Sequence, residues 1–380
     1  MTTSSRLGIY VQVPFCQTKC TYCNFHTGAF SRGLYRPYVD AVCREICESR
    51  DLRDLTVDTV YLGGGTPSLL EPSDLARILG TIRLAYPHDL QEVTLEADPE
   101  TIMSERAEAW LAAGINRISM GAQSFCDEEL RAAGRMHRRA DIHFANEICR
   151  GAGIENISMD LIAGLPHQTS ASWKSSLDEL IVLRPEHISI YLLEVDEASR
   201  LGREILAGGT RYGANAVPSD DEMASFYDEG CARLTAEGYE HYEISNWAQP
   251  ARSSKHNLKY WRREPYIGFG AGAHSFDGKR RWANVHDPSA YTAAIKTGAS
   301  VREQEETVTQ KQALEEELFL GLRELKGVDL TRIEKQYGAD LTARVTKLIN
   351  NGLIERNSER IRLSPGKLTI SNEAFVELLG

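Results

Sequence analysis

From residue 8 to about 195, short β-branched runs alternate with longer segments whose apolar positions recur at helical spacing. That rhythm marks βαβ units, which lay parallel strands side by side and put helices outside them. The expected strands are 8–13, 59–63, 92–97, 117–121, 158–163 and 188–193. Helical patterns fall between them at about 34–50, 73–86, 104–113, 127–133, 139–152 and 171–183. Right-handed crossovers would curl these six units into an incomplete barrel or lay them out as an open sheet.

The rhythm then fails. Residues 196–305 read as irregular, rich in Gly, aromatic and polar residues, and too specific for a linker. From about 306 the pattern becomes helical at 312–323, 330–336 and 340–350, followed by Gly352 and a short strand-like stretch. A helical unit ending in a small hairpin predicts a winged-helix-like α+β unit. The expected organisation is therefore an α/β core over 1–195, an irregular extension over 196–305 and a winged-helix-like unit over 306–380.

Composition narrows the function classes. A chain of 380 residues with 42% hydrophobic and 26% charged residues is an ordinary globular protein, neither disordered nor fibrous. Its net charge of -11 opposes broad attraction to nucleic acid or anionic lipid. Within 330–363 basic and acidic residues are interleaved, so the winged-helix-like unit is expected to be a lid or docking element, with no nucleic acid as partner. No run approaches the roughly 18 to 20 apolar residues of a bilayer crossing, and residues 1–8 lack a signal-peptide pattern; the expected location is cytoplasmic.

Of the eight cysteines, Cys16, Cys20 and Cys23 are packed into one short stretch, while Cys43, Cys47, Cys126, Cys149 and Cys231 are scattered. The C-x3-C-x2-C spacing lies where the first strand would hand over to a loop. Three thiolates there can hold three irons of a four-iron cluster and leave the fourth iron open. On the loop alone a zinc site is the alternative, because His26 follows at a spacing that would complete a Cys3His tetrahedron. Residues 60–67, Val-Tyr-Leu-Gly-Gly-Gly-Thr-Pro, run a strand directly into a glycine turn. Backbone without side chains can approach a polar ligand closely there. Cys16, Gly64, Glu96, Gln123 and Asp160 all fall at or near carboxyl ends of expected strands, the rim where parallel barrels carry their chemistry. Singly, each has a structural alternative: Glu96 and Asp160 as caps, Gln123 as a loop tie.

The triad, the preceding Tyr10-x-x-x-Pro14-Phe15 and the glycine turn resemble the radical S-adenosylmethionine (SAM) superfamily, whose fold is a partial TIM barrel of six βα units. The likeness to its oxygen-independent coproporphyrinogen oxidase branch extends through 95–99, 114–125, 134–137 and 159–166. The resemblance implies a 4Fe-4S cluster on Cys16, Cys20 and Cys23, with SAM chelating the open iron. It implies Gly64, Gly65 and Thr66 near the amino acid end of SAM and Tyr10 and Tyr22 flanking the site. It also implies Glu96, Gln123, Arg135 and Asp160 on the carboxylate, ribose or nearby polar groups. In working members the reduced cluster cleaves SAM to a 5'-deoxyadenosyl radical, so the hard chemistry belongs to the cofactors and no side chain is expected to be catalytic itself.

Two departures matter. The oxidase carries a further cysteine two positions after the third ligand, where this chain has Phe25, and a long extension that is not found ahead of Cys16 here. Both are similar to the HemW-type heme chaperones. Their HNxxYW signature is matched by His256-Asn257-Leu258-Lys259-Tyr260-Trp261. The resemblance implies heme as cargo, with His256 giving an imidazole to the iron, Tyr260 and Trp261 covering the porphyrin, and Lys259, Arg262 and Arg263 meeting propionates. Read from the residues alone, this is a His and aromatic cluster that packs a loop against the barrel mouth. Gly268–Gly272 lacks the βαβ context of a dinucleotide site and reads as a tight turn beside the site; Lys279, Arg280 and Arg281 read as a solvated face. Expected partners are recipient hemoproteins such as respiratory cytochromes at the membrane, a flavodoxin or ferredoxin if SAM is cleaved, and a second copy in a homodimer. The alternative function is coproporphyrinogen III oxidation or another SAM-dependent porphyrin reaction, against which Phe25 argues.

Overall fold

The structure, a computed structural model, describes residues 6–379. All six expected strands form: β1 (Arg6–Val13), β2 (Thr56–Gly64), β3 (His88–Ala97), β4 (Arg117–Gln123), β5 (Asn156–Ala163) and β6 (His187–Leu192). They lie parallel in sequence order. Between them run α1 (Tyr35–Glu48), α2 (Pro72–Ala85), α3 (Ser104–Ala113), α4 (Asp127–Ala132), α5 (Arg139–Gly151) and α6 (Ser170–Leu183). Strand alternation sorts the side chains. In β1, Leu7, Ile9, Val11 and Val13 are fully buried in the apolar core, while Tyr10 turns to the other face, where its ring stacks on Tyr61 of β2. β2 and β3 start earlier than expected because Thr56 and the stretch from His88 to Gln91 are too polar to register as apolar runs.

The segment expected to be irregular is instead well formed. It contains α7 (Arg200–Leu206), α8 (Asp220–Ala236), β7 (Glu240–Glu243), β8 (Asn246–Ala248), α9 (Lys255–Trp261), β9 (Tyr266–Phe269), β10 (His274–Phe276), β11 (Arg280–Asn284), α10 (Pro288–Thr297) and β12 (Arg302–Thr307). Its strands extend both flanks of the core sheet. β8 pairs antiparallel with β6, and β9 pairs parallel with β1, giving twelve strands in the order β12-β11-β10-β9-β1-β2-β3-β4-β5-β6-β8-β7. β12 and β7 end the series without pairing to each other, so the sheet is an open, incomplete barrel. Gly268 belongs to β9, and the tight turn follows it, with Gly270 and Gly272 both at positive φ.

The C-terminal unit comprises α11 (Gln310–Gly321), β13 (Val328–Asp329), α12 (Leu330–Tyr337), α13 (Thr342–Asn350), β14 (Ile354–Asn357), β15 (Arg360–Leu363) and α14 (Ser371–Leu379). Its three strands form an antiparallel sheet in the order β13-β15-β14, the winged-helix-like arrangement expected. Ile333, Val345, Leu348 and Ile361 bury its apolar faces. Backbone bonds from Ile244 N to Arg323 O (3.1 Å) and Leu325 N to Tyr242 O (3.1 Å) stitch it to the sheet flank.

Candidate functional site

The cysteine loop leaves the carboxyl end of β1. Phe15 anchors it, fully buried and stacked on Tyr35 with centroids 4.1 Å apart, and Cys16 N donates to Gly28 O at 2.8 Å where the loop returns. On one side Thr21 N and Oγ1 donate to Ala133 O (2.9 Å) and Ala132 O (3.0 Å) after α4. On the other, Leu201 N donates to Thr21 O (2.8 Å), Asn24 Nδ2 to Asp196 Oδ2 (2.9 Å) and Arg200 to Lys19 O. The three thiols are half-buried, and burial pushes Cys16 up to about 11 against a hydrogen bond from Thr27. Among the described residues no three His, Cys, Asp or Glu side chains converge to hold one metal ion. His26, the fourth ligand of the zinc alternative, stacks against His286, centroids 4.4 Å apart. A four-iron cube spreads its thiolates wider than one zinc does with bonds of about 2.3 Å.

The glycine turn closes over this loop. Gly65 N donates to Val13 O (2.8 Å) and Thr66 N to Phe15 O (2.7 Å). A Cβ on Gly65 would stand 2.6 Å from Phe15 O and 3.0 Å from Cys16 Sγ, so the approach needs glycine. Gly64, at φ +112°, donates to Glu96 Oε2 (2.9 Å), whose Oε1 accepts from Tyr61 (2.9 Å). Burial pushes Glu96 up to about 7 despite these donors. Thr66 Oγ1 donates to Asp98 Oδ2 (2.9 Å), and Asp98 also pairs with Arg135.

Several expected residues thus share the carboxyl rim: the three cysteines, Gly64, Gly65, Thr66, Glu96 and Arg135. Gln123 ends β4 there at φ +64°, one of eight non-glycine residues at positive φ among the described residues. Asp160 lies on β5 with burial raising its pKa, and its buried Oδ1 has no partner among the described residues. An unpartnered acceptor, a glycine cradle and three sulfur donors are what a cluster with a hydroxylated, amino-acid-bearing ligand requires. Tyr22 sits among Cys20, Arg135 and Asp98, which act on its ionisation after burial itself.

Three of the expected site residues are engaged by other groups in this structure. Arg135 does not stand free for a carboxylate: it pairs with Asp98, donates to Gly121 O (3.1 Å) and points Nη1 at Cys20 Sγ (3.4 Å). Burial works against its charge, but Asp98, Tyr22 and Cys20 hold its pKa well above the ordinary value. Tyr10 lies below the rim, its hydroxyl on Gln12 Oε1 (2.8 Å) and its ring 6.5 Å from His256. His256 sits at the amino ends of the strands, remote from the cysteines. It is buried, with Nδ1 on Thr59 Oγ1 (2.9 Å) and Nε2 on the Tyr260 hydroxyl (2.9 Å), leaving neither nitrogen open to iron. Burial, then Lys259 and Arg117, hold it down to about 3. The cations expected on propionates are engaged too. Lys259 pairs with Asp58 (2.8 Å) and Glu264 (3.3 Å), Arg262 with Glu324 (2.9 Å), and Arg263 with Glu316 (3.0 Å). Arg323 covers the Trp261 ring at 4.4 Å. The HNxxYW helix builds a seam between the barrel floor and the C-terminal unit.

Asp98, Gln12 and Tyr61 were missed. Asp98 stands inside the 95–99 stretch, just past the end of β3, and Gln12 shares the inward period of Tyr10, so alternation is the signal for Gln12.

Residues 10–180 match the family model described as Radical SAM superfamily, and 308–366 that described as HemN C-terminal domain. In fold, the chain superposes on the Escherichia coli coproporphyrinogen III oxidase HemN with a TM-score of 0.84, covering 99% of this chain and 90% of that one at 22% identity. Fold and rim together define a radical SAM protein, a class that implies a 4Fe-4S cluster and SAM. Heme chaperone HemW of Bacillus subtilis is 34% identical over 379 residues, 98% of each chain, and that of Escherichia coli K12 is 34% identical over 273 residues, 70% of this chain and 69% of that one. This chain belongs to the HemW family of heme chaperones.

Proposed function

We propose that this protein is a heme chaperone that carries a 4Fe-4S cluster on Cys16, Cys20 and Cys23, binds SAM on the same rim, and passes heme to a recipient hemoprotein. The observation that carries the reading is the meeting of the cysteine loop and the glycine turn at one rim, with Asp160 Oδ1 of β5 buried and unpartnered among the described residues, in a chain related end to end to HemW proteins. Gly64, Gly65 and Thr66 would border the amino acid end of SAM, with Tyr22 beside them. Asp160 and Gln123 would accept from or share protons with ribose hydroxyls. Glu96 fixes the turn through Gly64 N–H, and the Asp98–Arg135 pair holds a guanidinium against Cys20, where it offsets thiolate charge. Cluster and SAM together would supply one-electron chemistry at the sulfonium, with a flavodoxin or ferredoxin as electron source.

Heme is cargo in this reading and respiratory cytochromes are the expected recipients, with the chain acting in the cytoplasm as a monomer or homodimer. No helix among the described residues is long and apolar enough to cross a membrane, consistent with that setting. The test is anaerobic reconstitution followed by hemin titration, transfer to an apo-cytochrome, and an assay with dithionite, SAM and coproporphyrinogen III on the same sample. Hemin uptake and transfer without protoporphyrinogen formation are expected. Multiple turnovers of coproporphyrinogen would make it an oxidase instead, the reading that Phe25 opposes.

A further inference from the structure

Three imidazoles meet beside the cysteine loop on residues the rim site does not use. His26 follows Cys23 by three positions and packs its ring on that of His286, centroids 4.4 Å apart. His274 opens β10 and His286 follows β11, next to the turn that carries Gly270 and Gly272. Burial lowers the basicity of His274, and so do His286, Arg281 and His26, which puts all three imidazoles within electrostatic reach of one another. His286 Nδ1 is buried with no hydrogen-bond partner among the described residues. Gly272, at φ +73°, leaves room beside it, since a Cβ there would stand 3.0 Å from that nitrogen. Adjacent to His26, Phe25 is 67% exposed, its carbonyl held by Lys19 Nζ (3.0 Å) and Thr27 N (2.8 Å).

A lone surface histidine is unremarkable, but His26 is exposed while its ring already packs on that of His286. The three imidazoles do not converge tightly enough for a free ion. Iron already held by a porphyrin needs only an axial base and an apolar surface for its ring. His26 and Phe25 offer both on one exposed bend, whereas both nitrogens of His256 are taken. We propose that His26 is the axial ligand through which this chain holds heme, with Phe25 against the porphyrin face and His286 backing the ligand ring. This rests on the heme-chaperone reading above. The only bond made is from an imidazole lone pair to iron, displacing water, with no change of oxidation state.

The test titrates ferric hemin into the full, anaerobically reconstituted chain, followed by the Soret band and by electron paramagnetic resonance of the iron. Metal-free protoporphyrin IX serves as a parallel probe of the porphyrin surface alone. His26→Ala should weaken hemin binding about tenfold or more and change the iron spin state, while metal-free protoporphyrin binding changes far less. His26→Met should retain hemin with a shifted band, which loss of folding would not produce. Hemin affinity and spectra in His26→Ala and His286→Ala that match the parent would overturn the assignment while leaving the chaperone reading intact. So would a loss confined to His256→Phe. Failure of the parent chain to take up hemin would remove both.

Discussion

Gly65 is the residue on which the cysteine loop and the glycine turn depend together. In Gly65→Ala the new methyl would press on the Phe15 carbonyl and Cys16 Sγ, both fixed by the fold, at a cost of about 1–3 kcal/mol. Iron and sulfide per chain after anaerobic reconstitution should fall although every cysteine remains; full loading would mean the turn has slack. Asp98→Ala should cost about 3 kcal/mol in urea unfolding, because it strips a partner from the buried Arg135 guanidinium. Asp98→Asn should recover part of that by keeping an acceptor for Thr66. The cysteines were legible because their chemistry is local in the chain, three donors within eight positions. Asp98 was not assigned because its meaning comes from Thr66 and Arg135, which only the parallel sheet brings to it.

Among the elements, α9 is the one whose role changed most. Glu92, rising from β3, accepts from Lys255 N (3.0 Å) and His256 N (2.9 Å) and so ties the first turn of this seven-residue helix to the barrel floor. Glu92→Ala should destabilise the chain by about 2–3 kcal/mol, since two backbone donors are left buried or must find water. Thermal unfolding followed by tryptophan fluorescence, with Trp261 at the end of α9 among the five emitters, would register it; an unchanged transition would mean the helix is held without Glu92. The six parallel strands were readable from their apolar runs, but β7 to β12 are strands of three to six residues, several of them polar on both faces, and left no run to find. α8 did leave a signal: Ser219 and Glu222 form a reciprocal cap at its start, an S-x-x-E pattern that the chain displays openly. Its apolar positions, Met223, Phe226, Tyr227 and Leu234, are spaced for a helix face.

Across the whole molecule, pH enters through Glu96 on the rim and through Glu45, a carboxyl buried between α1 and the β9–β11 flank. Glu45 accepts from Gly270 N (2.9 Å), Tyr291 (2.5 Å) and Asn284 (2.7 Å), yet burial still pushes it up to about 7. A folded pKa above the unfolded one means the folded chain binds the proton more tightly. Stability from this group is therefore greatest in acid and declines as pH rises from about 4.5 to 7, by an amount on the order of 3 kcal/mol. Urea midpoints of Glu45→Gln should vary less between pH 5 and 8 than those of the parent; parallel curves would exclude Glu45 as the source. The core of the architecture was visible in the sequence, but the continuation of its sheet past both ends of the six-strand barrel was not, because pairing partners such as β9 with β1 lie some 250 residues apart in the chain. The grip of residues 196–201 on the cysteine loop has an outcome beyond shape. If the proposed cluster is lost and the loop relaxes, the strap gives up its bonds to Thr21, Asn24 and Lys19 and keeps the packing of the buried Leu201, so trypsin should cleave faster at Arg200 and Arg203. Oxidative injury to an inorganic centre would then be recorded as a single nick in the polypeptide, legible as two bands on a gel.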